Sequence, residues 1–393
     1  MNVPRSYADG YGRARELDTA LAEAYVRHTT VGDPLADAVV AELARTYRPS
    51  DLHGVIQSAI SRSGDQPPDT PESLVHFVES TSALPEWFDR DLAMTASRAF
   101  LRNPTGIMAA LVAGAIIEGF ATMISKAFLI RGRIVDNGVR RLKQNLLQLV
   151  EQFLPGGIEP HGDGWRLSLR IRLVHAQARM LIKNSADWDM EADGMPISAS
   201  HVALGTVAFS ARLMDHVAAL GGDFSPRERH GFIHVWRYAA ELLGVPEPIR
   251  FTDETSARKL FWIALACEPP TDDHGIILAN SIINSAPLVL GDEPGAARRA
   301  RAAYLYRLSR DLIGDDLADR LMYPPRKVLS ISPASLLRKR ALLERTLFRA
   351  FPPLNSLGAM MNFKTLLSAS ELDTDEHSFA LPTALYDEDS AKW

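Results

Sequence analysis

In the stretch LRIRLVHAQARMLI, residues 169–182, one imidazole stands between two guanidiniums: Arg172, His175 and Arg179. On a helix these positions are i−3, i and i+4, neighbours on one face. At about 100° per residue, Ile171, Val174, Ala178, Leu181 and Ile182 make an apolar stripe. His175 falls at its edge and the two arginines just past it, so the face grades from apolar to imidazole to guanidinium. A haem has the same gradient: an apolar macrocycle, an iron that takes an axial nitrogen, and two propionates that take cations. A core histidine bonded to a backbone carbonyl, with arginines snorkelling to solvent, has it too. The chain has no Cys-x-x-Cys-His, so any haem here would be held non-covalently.

Other groupings carry less chemistry. His230 and His234 stand at i, i+4 in RHGFIHVW, a spacing that can bring two imidazoles to one metal. Gly231 takes the place of the glutamate of a zinc-protease helix, so that chemistry is excluded. No nucleophile elbow, Walker loop or dinucleotide-binding glycine pattern is present, and the PGG at 155–157 lies in a turn between helices. The single cysteine, Cys267, excludes a disulfide framework and a thiolate cage; in WIALACEPP it reads as a small buried hydrophobe. The net charge of −5 over 393 residues gives no nucleic-acid footprint, and the basic run RGRIVDNGVRRLK (131–143) is interleaved with apolar residues.

The elements that must position these residues read as helices nearly throughout. Apolar periodicity predicts them at 34–47, 51–61, 90–101, 107–130, 137–153, 166–183, 198–220, 225–243, 254–264, 276–288, 294–312, 315–321 and 334–349. Ser198, and Ser225 followed by Pro226, are start signals; Gly244 with Pro246 beyond it is a stop. The only strand-like segment is KVLSISP, 327–333. The reading is an all-α protein with a single large helical domain at 31–365. An N-terminal extension at 1–30 and an acidic tail at 366–393 are expected to be loosely organised. The apolar run 107–124 is long enough to suggest a membrane span, but Glu118 and several Ala and Gly residues make it a buried core helix. No apolar signal segment follows the first charges, from which a cytoplasmic location is expected.

Several segments in order resemble the latex clearing proteins (rubber oxygenases) and the oxygenase that shortens the prenyl chain in mycophenolic acid biosynthesis. They are GDPLADAVVAEL (32–43), LPEWFDRD (84–91), GRIVDNGVRRL (132–142), LPGGIEPHGDGWRLSLRIRLVHAQAR (154–179), MPISASHVALGTVAFSARLMD (195–215) and FIHVWRYAAELLGV (232–245). The resemblance spans roughly residues 30 to 350. It implies a globin-like helical core around one haem b, with His175 as the iron ligand and Arg172 and Arg179 at the propionates. Across the haem the family carries Arg-x-x-Lys-Thr. Here the ungapped positions are Arg141, Gln144 and Asn145. The family's upstream catalytic glutamate falls on Ser125, with Glu118 the nearest carboxylate.

These departures bear on the chemistry expected. Gln144 and Ser125 replace a displaceable ligand and a base, whereas Arg141 can stabilise negative charge developing on oxygen and Asn145 can donate a hydrogen bond. The resemblance therefore implies a haem-dependent oxygenase that uses O₂ on a hydrophobic olefin, an isoprenoid or prenylated small molecule rather than a polymer. Two alternatives stay open: a haem protein without oxygenase turnover (a sensor, a carrier or a peroxidase-like scavenger), and a helical protein that binds an apolar ligand without haem.

Overall fold

The computed structural model describes residues 2–61, 70–130, 134–289, 291, 295–326, 331–350, 364 and 366–370. Among these the regular structure is entirely helical, and most of the buried apolar side chains join one contiguous core. Ile134–Phe153 packs along Asp273–Val289, and Pro226–Leu242 along Arg90–Arg102. The aromatic centre follows from this packing: Phe153 stacks on Phe100 at 5.1 Å and on Phe232 at 4.3 Å between ring centroids. Offset ring stacks of this kind add about 0.5–1.5 kcal/mol each beyond the area they bury.

Most helix starts lie where the local chemistry puts them. Ser225 accepts from the Glu228 N–H while the Glu228 carboxylate accepts from the Ser225 N–H, closing a capping box with Pro226 at the first helical position. Ser198 caps Ala199–Val207 by accepting from the His201 N–H. Gly244 follows the Pro226–Leu242 helix with φ +80°, a conformation that glycine adopts without the Cβ penalty.

Two segments differ from expectation, and two others lie partly outside the described residues. Residues 2–30 are not loose: Ala8–Leu17 and Thr19–His28 are helices packed on Glu254–Cys267, and Tyr7 and Tyr25 are fully buried. The predicted helix 107–130 is broken. Pro104–Phe120 ends at Ala121, and a separate turn, Ile124–Leu129, follows. No single described helix is long and apolar enough to cross a bilayer, and Pro104–Phe120 bends by 85° from Arg90–Arg102. Finally, 327–330 of the strand-like segment lie outside the described residues; 331–332 are irregular and a helix starts at Pro333. Of the tail, 366–370 are helical and 371–393 lie outside the described residues.

Two of the core helices carry a π-type turn, Leu111–Ala115 and Ala208–Arg212, and these two turns touch each other. A π turn widens the helix by one residue and rotates the side chains that follow it; such bulges concentrate at functional sites. Here Ala115, Ala208 and Phe209 from the two turns form part of one cavity wall.

Candidate functional site

That cavity, of about 150 Å³, lies at the meeting of the Pro104–Phe120, Ile124–Leu129, Ile134–Phe153, Asp163–Ile182 and Ala199–Val207 helices. Its walls are mostly apolar: Ile116, Phe120, Phe128, Ile171, Phe209 and Leu243 contribute, and His175, Asn145, Gln148, His201 and Thr206 supply polar atoms. Apolar walls with a few placed polar groups are the usual make-up of a small-molecule site.

His175 is half-buried and lies on two surfaces at once. It forms part of the main cavity wall and part of a small cleft that also holds Arg172 and Arg179. The helix thus presents the imidazole between an apolar space and a cationic one. Both arginines are buried rather than snorkelling, at 8% and 3% exposure.

Their partners were not legible in the helix itself. Arg172 donates through Nε to Asp33 Oδ2 at 2.5 Å and through Nη2 to Asp33 Oδ1 at 3.0 Å. Arg179 donates through Nε and Nη2 to Asp37, both at 2.9 Å to Oδ1, and through Nη1 to the Ile197 carbonyl at 2.5 Å. Asp33 also caps the Pro34–Thr46 helix by accepting from the Ala36 N–H, and Asp37 accepts from the Asp33 N–H. One helix start is therefore bolted to the arginine face by two carboxylates. Glycine leaves the room for it. A Cβ at Gly244 would come within 2.3 Å of Asp33 Oδ2, and one at Gly32 within 2.5 Å of Arg179 Nε. Each guanidinium is offset by a carboxylate, so the cleft offers an anion less net positive charge than the bare sequence implies.

The three residues expected across the cavity are placed differently from one another. Asn145 is on the wall and donates through Nδ2 to the Arg141 carbonyl at 2.8 Å. Arg141 is buried behind the wall, its guanidinium 4.2 Å from the centroid of the Phe128 ring, which does line the cavity. Gln144 is half-buried and is not part of this wall, whereas Gln148 is. Positions 141, 145 and 148 share a face at i, i+4 and i+7, so Gln148 was available from spacing alone.

Neither upstream position supplies a base. Ser125 is fully buried and donates to the Thr122 carbonyl at 2.9 Å. Glu118 faces away from the cavity, taking Arg212 bidentately (Nη2 at 2.6 Å, Nε at 2.8 Å) and pairing with His216 Nε2 at 2.9 Å. Burial alone would raise the Glu118 carboxyl, but His216 and Arg212 outweigh it and hold it below the ordinary carboxylate range. Gly114 makes this possible, since a Cβ there would meet the His216 ring at 2.6 Å. His230 is exposed and His234 is buried, with Nε2 accepting from the Asp89 N–H at 2.9 Å. That is a structural role, and Cys267 is likewise buried.

One polar group on the wall had no signal in the sequence. His201 is buried, and its Nε2 lies 2.7 Å from the Tyr7 hydroxyl and 3.7 Å from Glu268 Oε1. Glu268 in turn accepts from the Tyr25 hydroxyl at 2.8 Å and from the Met123 N–H at 3.1 Å. Burial depresses the His201 imidazole to about 4. It pushes the Glu268 carboxyl up to about 7, against the opposing pull of the Tyr25 hydroxyl and the Met123 N–H.

Comparison with known proteins bears on this arrangement. A family profile described as ER-bound oxygenase mpaB/B′/rubber oxygenase, catalytic domain, matches residues 97–342. The rubber oxygenase of Streptomyces sp. (strain K30) is 23% identical over 249 residues, 60% of this chain and 60% of that protein. The match thus spans about three-fifths of the curated relative's length. The solved structure of latex clearing protein in its closed state superposes with a TM-score of 0.62 at 19% identity, covering 91% of each chain. At that identity the likeness is one of fold.

Proposed function

The chain belongs to the family of ER-bound oxygenase mpaB/B′ and rubber-oxygenase catalytic domains, and on that premise we propose that it is a haem b-dependent oxygenase acting with O₂ on a hydrophobic olefinic small molecule. The observation that carries the reading is the position of His175, whose imidazole lies between an apolar cavity and a cleft with two buried arginines. Among the described residues no group of three or more His, Cys, Asp or Glu side chains comes together to hold a metal. An iron here would take one nitrogen from His175 and the rest from a macrocycle, and the apolar walls suit its faces. The cationic side fits on a condition: a propionate would share Arg172 and Arg179 with Asp33 and Asp37.

When bound, the haem supplies the means of activating O₂. The chain's own residues do the rest. Phe120, Phe128, Phe209 and Ile116 exclude water and hold an olefin by apolar contact. Asn145 is fixed at the wall by its bond to the Arg141 carbonyl. Arg141 acts on the cavity through Phe128, stiffening that ring from behind, and is a positioning residue here. No carboxylate base reaches the wall from Glu118. This favours small olefins whose oxidation needs no side-chain base at that position.

One observation favours a second reading, that of an apolar-ligand binder without haem: both arginines already have carboxylate partners. The absorption spectrum of the purified protein with a pyridine haemochromogen assay separates the two. The expected result is a Soret band with one haem per chain that is lost in His175→Ala, and carbonyl products from an isoprenoid panel by mass spectrometry. A colourless protein after expression with ample haem, or a variant with full haem and an unchanged spectrum, overturns the haem assignment.

A further inference from the structure

Two nitrogens on this apolar cavity's residues are left without a hydrogen-bond partner. They are Nδ1 of His201 and Nε1 of Trp236, both buried, and both rings are part of the wall. Buried polar groups in folded proteins are nearly always satisfied, and an unsatisfied one at a ligand site is explained most directly by the ligand. The indole nitrogen can only donate. The imidazole's state follows from its other nitrogen, 2.7 Å from the buried Tyr7 hydroxyl. Among the described residues the Tyr7 hydroxyl has no other acceptor, so its proton goes to Nε2 and a neutral ring carries its own proton on Nδ1. Burial keeps the ring neutral, since the charged form is favoured only below about 4. The two atoms are therefore both neutral donors that lack an acceptor.

The remaining polar atoms nearby do not supply one. Asn145, Gln148 and Thr206, the other amide and hydroxyl side chains on the wall, accept from neither nitrogen. Arg172 and Arg179, matched by Asp33 and Asp37, offer no free counter-charge to a substrate carboxylate either. A hydrocarbon would fill the cavity and leave both donors stranded. A carboxylate would be desolvated without a counter-charge. A neutral oxygen satisfies the donors at neither cost.

Resting on the olefin reading of this cavity, we propose that His201 and Trp236 recognise a neutral carbonyl or hydroxyl oxygen on the substrate, so that the preferred ligand is an oxygenated isoprenoid-like olefin and not a bare hydrocarbon. Sites built around buried donors reject the analogue that lacks the acceptor far more strongly than apolar pockets reject a methylene.

The test is isothermal titration of the full chain as purified, haem content recorded, with two probes. One is farnesylacetone; the other is the hydrocarbon of the same chain with a methylene in place of the carbonyl. The expected result is a ketone affinity about tenfold or more above that of the hydrocarbon. That ratio should fall toward about one in Trp236→Phe combined with His201→Phe, and should persist in His201→Asn, whose amide can donate from near the Nδ1 position. Equal affinity of the two probes in the wild type overturns the proposal and leaves the oxygenase reading standing. So does a ratio unchanged in the double variant. Loss of haem from folded Trp236→Phe also overturns it, by assigning the donors to the cofactor. Failure of both probes to bind haem-loaded protein overturns the proposal and the olefin reading together.

Discussion

Glu268 and His201 face each other at 3.7 Å in the core, and their proton count yields a sharp prediction. In the unfolded chain the carboxyl titrates near 4.5 and the imidazole near 6.5; in the folded protein burial moves them to about 7 and about 4. Between about pH 4.5 and 6.5 the folded pair holds one proton, on the carboxyl. The unfolded pair also holds one, on the imidazole. Stability changes with pH as 2.303RT times the protons bound in the unfolded state minus those bound in the folded state. For Glu268 alone the difference is −1, so stability falls as pH rises. For His201 alone it is +1, so stability rises. The two contributions cancel across the window. The neighbours do not disturb the count: burial raises the Tyr7 and Tyr25 hydroxyls well above 10 and pushes the Cys267 thiol up to about 12. Asp193, whose charge also acts on the Tyr7 hydroxyl, is paired with Lys126 at 2.5 Å.

Glu268→Gln removes one side of this balance. The amide still accepts from Tyr25, but its NH₂ faces the Met123 N–H, a constant loss of about 1–3 kcal/mol. The informative quantity is the slope. With only the imidazole left, unfolding free energy should rise with pH relative to wild type, by about 3 kcal/mol between pH 4.5 and 6.5. His234, whose imidazole burial also depresses to about 4, adds the same slope to both proteins and drops out of the difference. Urea unfolding of the two proteins at half-unit pH steps makes the comparison. Parallel curves would refute the claim that Glu268 is protonated in the folded state.

The other expectations follow from single contacts. His175→Ala should abolish stoichiometric haem, read by the haemochromogen assay. Arg172→Ala strands the buried Asp33 carboxylate and should cost about 3–5 kcal/mol in urea unfolding; Arg172→Met with Asp33→Asn should recover most of it. Arg141→Ala removes a guanidinium stacked on Phe128 and should cost about 0.5–2 kcal/mol with haem content unchanged. Gly10→Ala sets a Cβ 2.2 Å from the Cys267 carbonyl oxygen, between two backbones, and should cost about 1–3 kcal/mol or more. A thermal shift within error of wild type would mean that this contact relaxes freely.

What was legible in the sequence is what local physics dictates. Ser198, Ser225 and Gly244 mark helix ends because a cap is satisfied within a few residues, and Arg172, His175 and Arg179 share a face because helical spacing makes them. The missing parts depend on distant partners. Asp33 and Arg172 are 139 positions apart, and Tyr7 and His201 are 194 apart. Ala8–Leu17, with the sequence ADGYGRAREL, has two glycines and little apolar periodicity, so propensity argues against a helix there. Packing reverses that. Gly10 is where the helix meets the Cys267 carbonyl, and no side chain fits in that gap. The N-terminal segment that looked peripheral therefore supplies Tyr7 and Tyr25 to the His201–Glu268 cluster. By holding Nε2 of His201, it decides which nitrogen of that ring can donate. A property of the cavity is thus set by residues that local reading places outside the domain. The same logic applies to the arginines. Their type and spacing suggested an anion, but Asp33 and Asp37 are the anions the fold brings to them, so what a cofactor gains there is the difference between its own carboxylates and two already in place.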